Sequence, residues 1–428
     1  MRLANFYDLR ALRRNQWRTP HDVERIQARK LSNLIRHAWT NVPYYRKLLT
    51  AAGLRPEDIK NREDLRLIPV TTKRTLQDLP LHEKTAAGTD LRRCRITFTS
   101  GTTGMPLKIF MTIHDATLTN LSWVRAYLSN GMKPWYAIAV FIGQREENTR
   151  KSWYQHLGLW RKHEISAWRT AEDWIEELQR HKPQVIAGYV MSLKLLAEAI
   201  QAKGITGIEP KAIFHSSAIL DEASRRFLTS VFRAPVIDFY GADEAGCIAW
   251  ECPRCSSYHV NSDLVVVETL RNGKSAGPGE EGDVVITNLH SSAMPFIRYS
   301  LGDIGILSPK TSSCGRGLPL LEKIQGRTDD FILLKSGRRI SPHPIYHCLD
   351  PVPGIRRWRM VQRDIRHLVL ELEPGGAFSA ETISLARDNL MGLFQGEIEI
   401  IIQEVSLIPI SPQAKFRAVT SDLRSGVS

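Results

Sequence analysis

Residues 97–108 read TFTSGTTGMPLK, and the division of the chain follows from this stretch. Its middle is glycine and hydroxyl side chains, while its flanks, RITF at 95–98 and LKIFMT at 107–112, have the β-branched and aromatic make-up of strands. The expectation is therefore strand, glycine turn, strand. Backbone N–H groups in such a turn, together with the hydroxyls of Ser100, Thr102 and Thr103, form a concave donor surface suited to phosphate oxygens. The Walker pattern is ruled out, because no GKS or GKT ending with its helix follows.

At 428 residues the chain is longer than one hydrophobic core usually serves, so two or more domains are expected. Its composition, 43% hydrophobic and 24% charged, is that of an ordinary soluble globular protein. No window approaches the roughly 18 apolar residues of a membrane helix. The start, MRLANFYDLRALRRNQWR, lacks the apolar core of a secretory signal, so a cytoplasmic address is expected. That basic segment reads either as a docked helix or as an amphipathic helix on an anionic membrane. The net charge of +13 comes from 58 Lys and Arg spread along the chain, with no dense basic run, which argues against a nucleic-acid partner.

Residues 22–53 carry apolar positions at helical spacing, broken at Val42–Pro43. Between 115 and 235, strand-like YAIAVFIG and PQVIAGYV alternate with helix-like AEDWIEELQRH, MSLKLLAEAIQAKG and DEASRRFLTSVF. Such alternation predicts α/β architecture with a largely parallel sheet. From 260 to 325 the pattern turns β-rich, and the last hundred or so residues run strand, strand, helix, strand. The predicted fold is α/β. A large multi-sheet N-terminal domain with parallel-sheet subdomains spans 1–326, and a small mobile α+β lid spans 327–428.

Three further motifs follow the opening one. In DFYGADEAG (238–246) a strand ends at Gly241 and a turn presents Asp243 and Glu244, where α/β sheets usually bind ligands; Glu244 suits a Mg²⁺. In MPFIRYSLGDIG (294–305), Asp303 follows a glycine in what reads as a tight turn, suited to a ribose diol. IQGRTDDFILLKSGRRISP (324–342) reads as a rotatable linker.

SGTTG (100–104), YGADE (240–244), YSLGD (299–303), GRTDD (326–330) and the lysine of SPQAKFR thus occur in order. In that order they resemble the signature motifs of the adenylate-forming superfamily of acyl- and aryl-CoA synthetases, over nearly the whole chain. NVPYYRKLL, IPVTTK and PFIRYSLGD are similar to the phenylacetate–CoA ligase-like branch. The resemblance implies an AMP-forming acid–thiol ligase. It would use ATP and Mg²⁺ to turn an aryl or small acyl acid into an acyl-adenylate, then pass the acyl group to CoA or a carrier-protein phosphopantetheine.

Carried over residue by residue, Ser100, Gly101, Thr102, Thr103 and Gly104 would cradle the phosphates, and Tyr240 and Gly241 would lie beside adenine. Glu244 would hold Mg²⁺, while Asp303 and Arg327 would hold the ribose. Asp329 would be the hinge, and Tyr189, Ser216, Ser217 and Ala218 would line the acyl pocket. Lys415 would enter for adenylation, its ammonium offsetting the charge that builds as a carboxylate attacks phosphorus. Two positions depart from the pattern: Met105, where many relatives have a basic or small residue, and Ala414, where many have glycine. The alternative is a catalytically weak, nucleotide-binding accessory protein in polysaccharide or secondary-metabolite biosynthesis. Expected partners are a small carboxylic acid and CoA or an acyl carrier protein, with a homodimer left open.

Of six cysteines, Cys252 and Cys255 lie in CPRC, with His259 four residues on and Cys314 in SSCGRGLP. Thiolates two residues apart suit one tetrahedral ion, so Cys252, Cys255, His259 and Cys314 form a candidate structural Zn²⁺ set, with Cys247 as the substitute for His259. Buried free thiols are the other reading. Cys94 and Cys348 read as packing residues.

Overall fold

Residues 3–99, 106–142, 153–167, 169–216, 219–327, 331–340, 342–409 and 418–423 are described in this computed structural model. The two flanks of the opening stretch are strands β1 (Arg95–Phe98) and β2 (Lys108–Met111), paired antiparallel with Phe98 opposite Lys108. Strands β3 (Ile138–Ile142), β4 (Lys162–Ser166), β5 (Val185–Gly188), β6 (Ala212–Ser216) and β7 (Val236–Ala242) are mutually parallel. Helices Ala171–His181, Val190–Ala202 and Glu222–Phe232 alternate with them, as the sequence pattern requires.

The β-rich stretch supplies β8 (Gly246–Cys252), β9 (Ser257–Val260), β10 (Val265–Arg271), β11 (Lys274–Ser275), β12 (Glu281–Asn288), β13 (Tyr299–Leu307) and β14 (Leu320–Arg327). All of these pair antiparallel. The two stretches that the sequence separates are halves of one sheet, ordered β11-β10-β12-β13-β14-β9-β8-β7-β6-β5-β3-β4. The join is the tight β7–β8 connection, where parallel pairing gives way to antiparallel.

The last hundred residues form a small pair, β15 (Ile332–Leu333) with β16 (Arg339–Ile340), and a four-stranded sheet. That sheet holds β17 (Ile355–Gln362), β18 (His367–Pro374), β19 (Glu399–Glu404) and β20 (Val419–Ser421) in the order β19-β18-β17-β20. Helix Ala380–Phe394 covers it, burying Ala386, Leu390 and Phe394 against Met360, Leu368, Leu370 and Leu372. This region has its own core. Asp350, just after helix Pro342–Leu349, meets Asp221, the N-cap of helix Glu222–Phe232. Trp358 donates from Nε1 to Asp350 at 2.9 Å.

The N-terminal segment is a docked helix, Leu3–Asn15, with Leu9 and Leu12 packed on Leu121 and Leu264. Helix Pro20–Asn41 follows, capped by Thr19 and begun by Pro20, and stops at extended Val42 before Pro43 opens the next. Both first helices are tied to the start of the β-rich half through Asp263. Asn15 donates to it at 3.0 Å, Arg125 at 2.8 Å, and Gln27 reaches the neighbouring Ser262 carbonyl at 2.8 Å. Arg125 and Asp263 are fully buried, and although burial opposes ionisation, Arg125 and Lys30 hold the Asp263 carboxyl below its ordinary range. Among the described residues, no helix is long and apolar enough to cross a membrane.

Candidate active site

The parallel strand β7 ends at Ala242, one residue beyond the expected stop, and the turn after it presents exposed Asp243 and half-buried Glu244. Gly241 is there for space: a Cβ would lie 2.6 Å from the Trp123 indole and 2.7 Å from the Gly246 carbonyl oxygen. Asp303 does not follow a tight turn. It sits within β13 at an irregularity in the pairing with β12, where Gly302 takes φ of 72°. The bulge, rather than a reversal of the chain, turns the Asp303 side chain. Across β13, Asp303 is in register with Arg327 of β14.

Two hydrogen bonds join the second and third motifs. Tyr240 donates to Asp303 Oδ2 at 2.7 Å, and Tyr299 donates to Glu244 Oε1 at 3.0 Å. Asn288 holds the Glu244 backbone carbonyl at 2.7 Å. Burial pushes the Glu244 carboxyl up to about 7, with Asp243 and Asp303 adding repulsion and Tyr299 opposing the rise. A desolvated carboxylate beside two other acids is suited to a divalent cation, which would relieve all three.

Tyr299 opens the YSLGD motif, but motif reading gives it no role of its own, since a tyrosine after an apolar run is ordinarily core. It is 1% exposed and stacks edge-on with Phe296. The early motifs buttress it: Tyr44 meets Thr71 at 3.0 Å, and the Thr71 backbone bonds on either side of Tyr299, to Arg298 and Ser300. Of the expected acyl-pocket residues, Tyr189 lies just after β5 and Ser216 ends β6, so both sit at the strand ends that carry Gly241. His215 is a buried residue, bonded to the Gly188 carbonyl at 3.3 Å. Ser100, Gly101, Thr102, Thr103, Gly104, Met105, Ser217, Ala218, Asp329, Ala414 and Lys415 lie outside the described residues, as does the Arg327 side chain.

No family model matches the chain. It is 26% identical over 355 residues to the phenylacetate-coenzyme A ligase of Thermus thermophilus, covering 77% of this chain and 76% of that one. With the enzyme of the same name from Pseudomonas putida it shares 27% over 431 residues, covering 95% and 91%. Over most of its length the chain is thus a distant relative, at 26–27% identity, of phenylacetate-coenzyme A ligases, which are adenylate-forming CoA ligases. Solved folds agree. A 2-hydroxyisobutyryl-CoA ligase in its postadenylation state gives a TM-score of 0.80 at 19% identity, over 96% of this chain and 92% of that one. The same ligase in its thioesterification state gives 0.65 at 20%, over 96% and 91%. Bacillus subtilis O-succinylbenzoate coenzyme A synthetase, with ATP and magnesium, gives 0.54 at 15%, over 76% and 68%.

Within this fold the thiol set forms a second centre. Ligand atoms of Cys252, Cys255, His259 and Cys314 all lie within 4.8 Å of one another. His259 Nε2 is 3.2 Å from Cys314 Sγ and 3.8 Å from Cys255 Sγ. Burial, then Arg316, lowers His259 to about 4, so its imidazole is neutral at pH 7, as ligation requires. Cys314 is drawn down to about 6, because hydrogen bonds from Ser312 and Arg316 outweigh its burial. Cys247 is not a substitute: it is buried elsewhere in β8, with its thiol directed to the Ala249 carbonyl. Cys94 and Cys348 are free thiols apart from the set.

Proposed function

We propose that this chain activates a carboxylic acid with ATP and passes the acyl group to a thiol, that of CoA or of a carrier-protein phosphopantetheine. The observation that carries the reading is the convergence of Tyr240, Glu244, Tyr299 and Asp303, from two motifs far apart in sequence, on one sheet end. In the first step a carboxylate oxygen attacks the α-phosphorus, the α–β anhydride bond breaks and pyrophosphate leaves. In the second, the deprotonated thiol sulfur attacks the acyl carbonyl, and AMP leaves with the electrons of the broken C–O bond.

Residues 1–326 serve as the ATP- and acyl-binding domain and 327–428 as a lid that turns about Asp329. Residues 100–104 hold the phosphates, Tyr240 and Gly241 flank the adenine, and Asp303 with Arg327 holds the ribose. Glu244 would hold a Mg²⁺, whose charge offsets that of the phosphates. Lys415 stabilises the pentacovalent phosphorus electrostatically. Tyr189, Ser216, Ser217 and Ala218 face the acyl group. The Trp123 indole packed on Gly241 supports an aryl or short acid over a long chain.

The thiol centre supports a structural Zn²⁺. Three thiolates and a neutral imidazole around such an ion leave one negative charge, and the buried Arg316 guanidinium lies 3.1 Å from Cys314 Sγ to offset it.

Pyrophosphate release from ATP, measured across a panel of aryl and short-chain acids with and without CoA, tests the ligase. Release with one acid class names the substrate, and stimulation by CoA names the acceptor. ATP binding with no release for any acid favours the accessory role instead. In the active case Lys415→Ala cuts adenylate formation by about a hundredfold or more while ATP still binds. An unchanged rate removes Lys415 from the mechanism.

A further inference from the structure

We propose that Tyr240 and Tyr299 are positioning residues forming a crossed brace, each holding the carboxylate of the other's motif, so that the ribose site and the metal site act as one coupled unit. The inference rests on the nucleotide-binding reading above and adds two residues that reading gives no such role.

The geometry is reciprocal. The tyrosine of β7 donates to the acid of β13, and the tyrosine of β13 donates to the acid that follows β7. These strands are not neighbours, since β8, β9 and β14 lie between them. Four inter-strand spacings in a flat sheet amount to roughly 19 Å. Contacts of 2.7 and 3.0 Å therefore mean that the sheet curls until the two strands face each other across its mouth. Among the described residues no ladder hydrogen bond crosses that gap; the two phenols do, beside the Asn288 amide that holds the Glu244 backbone carbonyl. Each fixes one carboxylate oxygen, and because the donors come from opposite sides, neither segment can move away without losing both bonds.

The rings are held independently of their hydroxyls. Tyr299 packs on Phe296 with centroids 5.1 Å apart, and Tyr240 packs against the core beside Ala242. Tyr→Phe therefore removes the donor and keeps the packing. A hydrogen bond to a charged group contributes enough that its loss costs about tenfold in the affinity it supports. The brace predicts which affinity moves: Tyr240→Phe releases Asp303 and weakens AMP, whereas Tyr299→Phe releases Glu244 and weakens the metal.

The test is calorimetric titration of the full chain with AMP, together with Mn²⁺ binding by electron paramagnetic resonance in the presence of ATP. Wild type, Tyr240→Phe, Tyr299→Phe and the double variant are compared. The brace expects about a tenfold loss of AMP affinity in the first variant and about a tenfold loss of Mn²⁺ affinity in the second. Because the sites are coupled, each single variant also weakens the other ligand by a smaller factor, and in the double variant each affinity falls by less than the product of the two single losses, since one broken arm already loosens the other. Near-ultraviolet circular dichroism confirms that each variant is folded. Single variants that bind both ligands within about twofold of wild type, or strictly multiplicative losses, overturn the brace while leaving the ligase reading intact. Wild type that binds neither AMP nor Mn²⁺ overturns both. A general loosening of the fold would lower the melting temperature without sorting the two affinities by residue.

Discussion

The acidic centre around Glu244 and the thiol centre around His259 lie on the same sheet and treat charge in opposite ways. At the first, burial raises the Glu244 carboxyl to about 7, and its described partners are a phenol and acids. At the second, the counter-charge is built in. Arg316 is held between Trp17 and Trp250, 4.4 and 5.0 Å from the ring centroids, and donates to Cys314. A site that must take and release a charged ligand keeps its electrostatics incomplete. A centre that would hold one ion for the life of the protein, as proposed for the thiol set, has no reason to.

Breaking the first centre should damage turnover and spare stability. Glu244→Gln keeps the shape and still accepts from Tyr299, so adenylate formation falls about a hundredfold while the melting temperature stays within a few degrees. Undiminished Mg²⁺-dependent turnover places the metal elsewhere. Breaking the second should do the reverse. Removing the ion by chelation costs native-state binding energy and lowers the melting temperature by roughly 5–15 °C. Purified protein with no metal by elemental analysis and no change on chelation disposes of the zinc.

The smallest effect sharpens the contrast with a buried acid that awaits no ligand. Asp350 is raised from the ordinary 3.8 to about 7, by burial and then by Asp221. From about pH 4 to pH 7 the native state keeps a proton that the unfolded chain has released, so stability falls as pH rises through that window, and the penalty is complete above it. Lys194, on the helix between β5 and β6, partly relieves the pair. Asp350→Asn can still accept from Trp358. It should gain about 1–2 kcal/mol in urea unfolding at pH 8 and nothing at pH 4. Equal gains at both pH values would sink this account.

Much of this was legible in the sequence because the signals were local. The strands flanking the glycine-rich stretch, the helix break at Val42–Pro43 and the α/β alternation follow from neighbouring residues. So did the thiol set, and Cys247 could have been excluded too: five residues from Cys252 in one strand, it faces the other side. What was hidden is long-range. The continuous sheet depends on β14 finding β9 through only Leu320 and Leu321, a register that no local pattern announces. Strands β15, β16 and β20 are two or three residues long, too short to carry a period. The Asp303 bulge looked like a turn because Gly-Asp suits both. The Tyr299 ring is core, and nothing in the sequence gives it a role in the site. Only its hydroxyl reaches the acid, and that depends on how the sheet curls.

The docking of the N-terminal helices also bears on how the protein is made. Asn15, Gln27 and Lys30 bond to residues 262–263, and Gly317 lies so tightly on the Arg18 carbonyl that a Cβ there would come within 2.0 Å. On the ribosome, the first forty residues emerge long before their partners exist. At about 5–20 residues per second, they wait roughly fifteen seconds to a minute for residue 317. The amphipathic helix Pro20–Asn41, with Val23, Leu31, Leu34 and Ile35 on the side later buried, is exposed for that interval. The opening of the chain therefore cannot complete its docking until residue 317 has emerged, and its apolar face lacks its native cover until then.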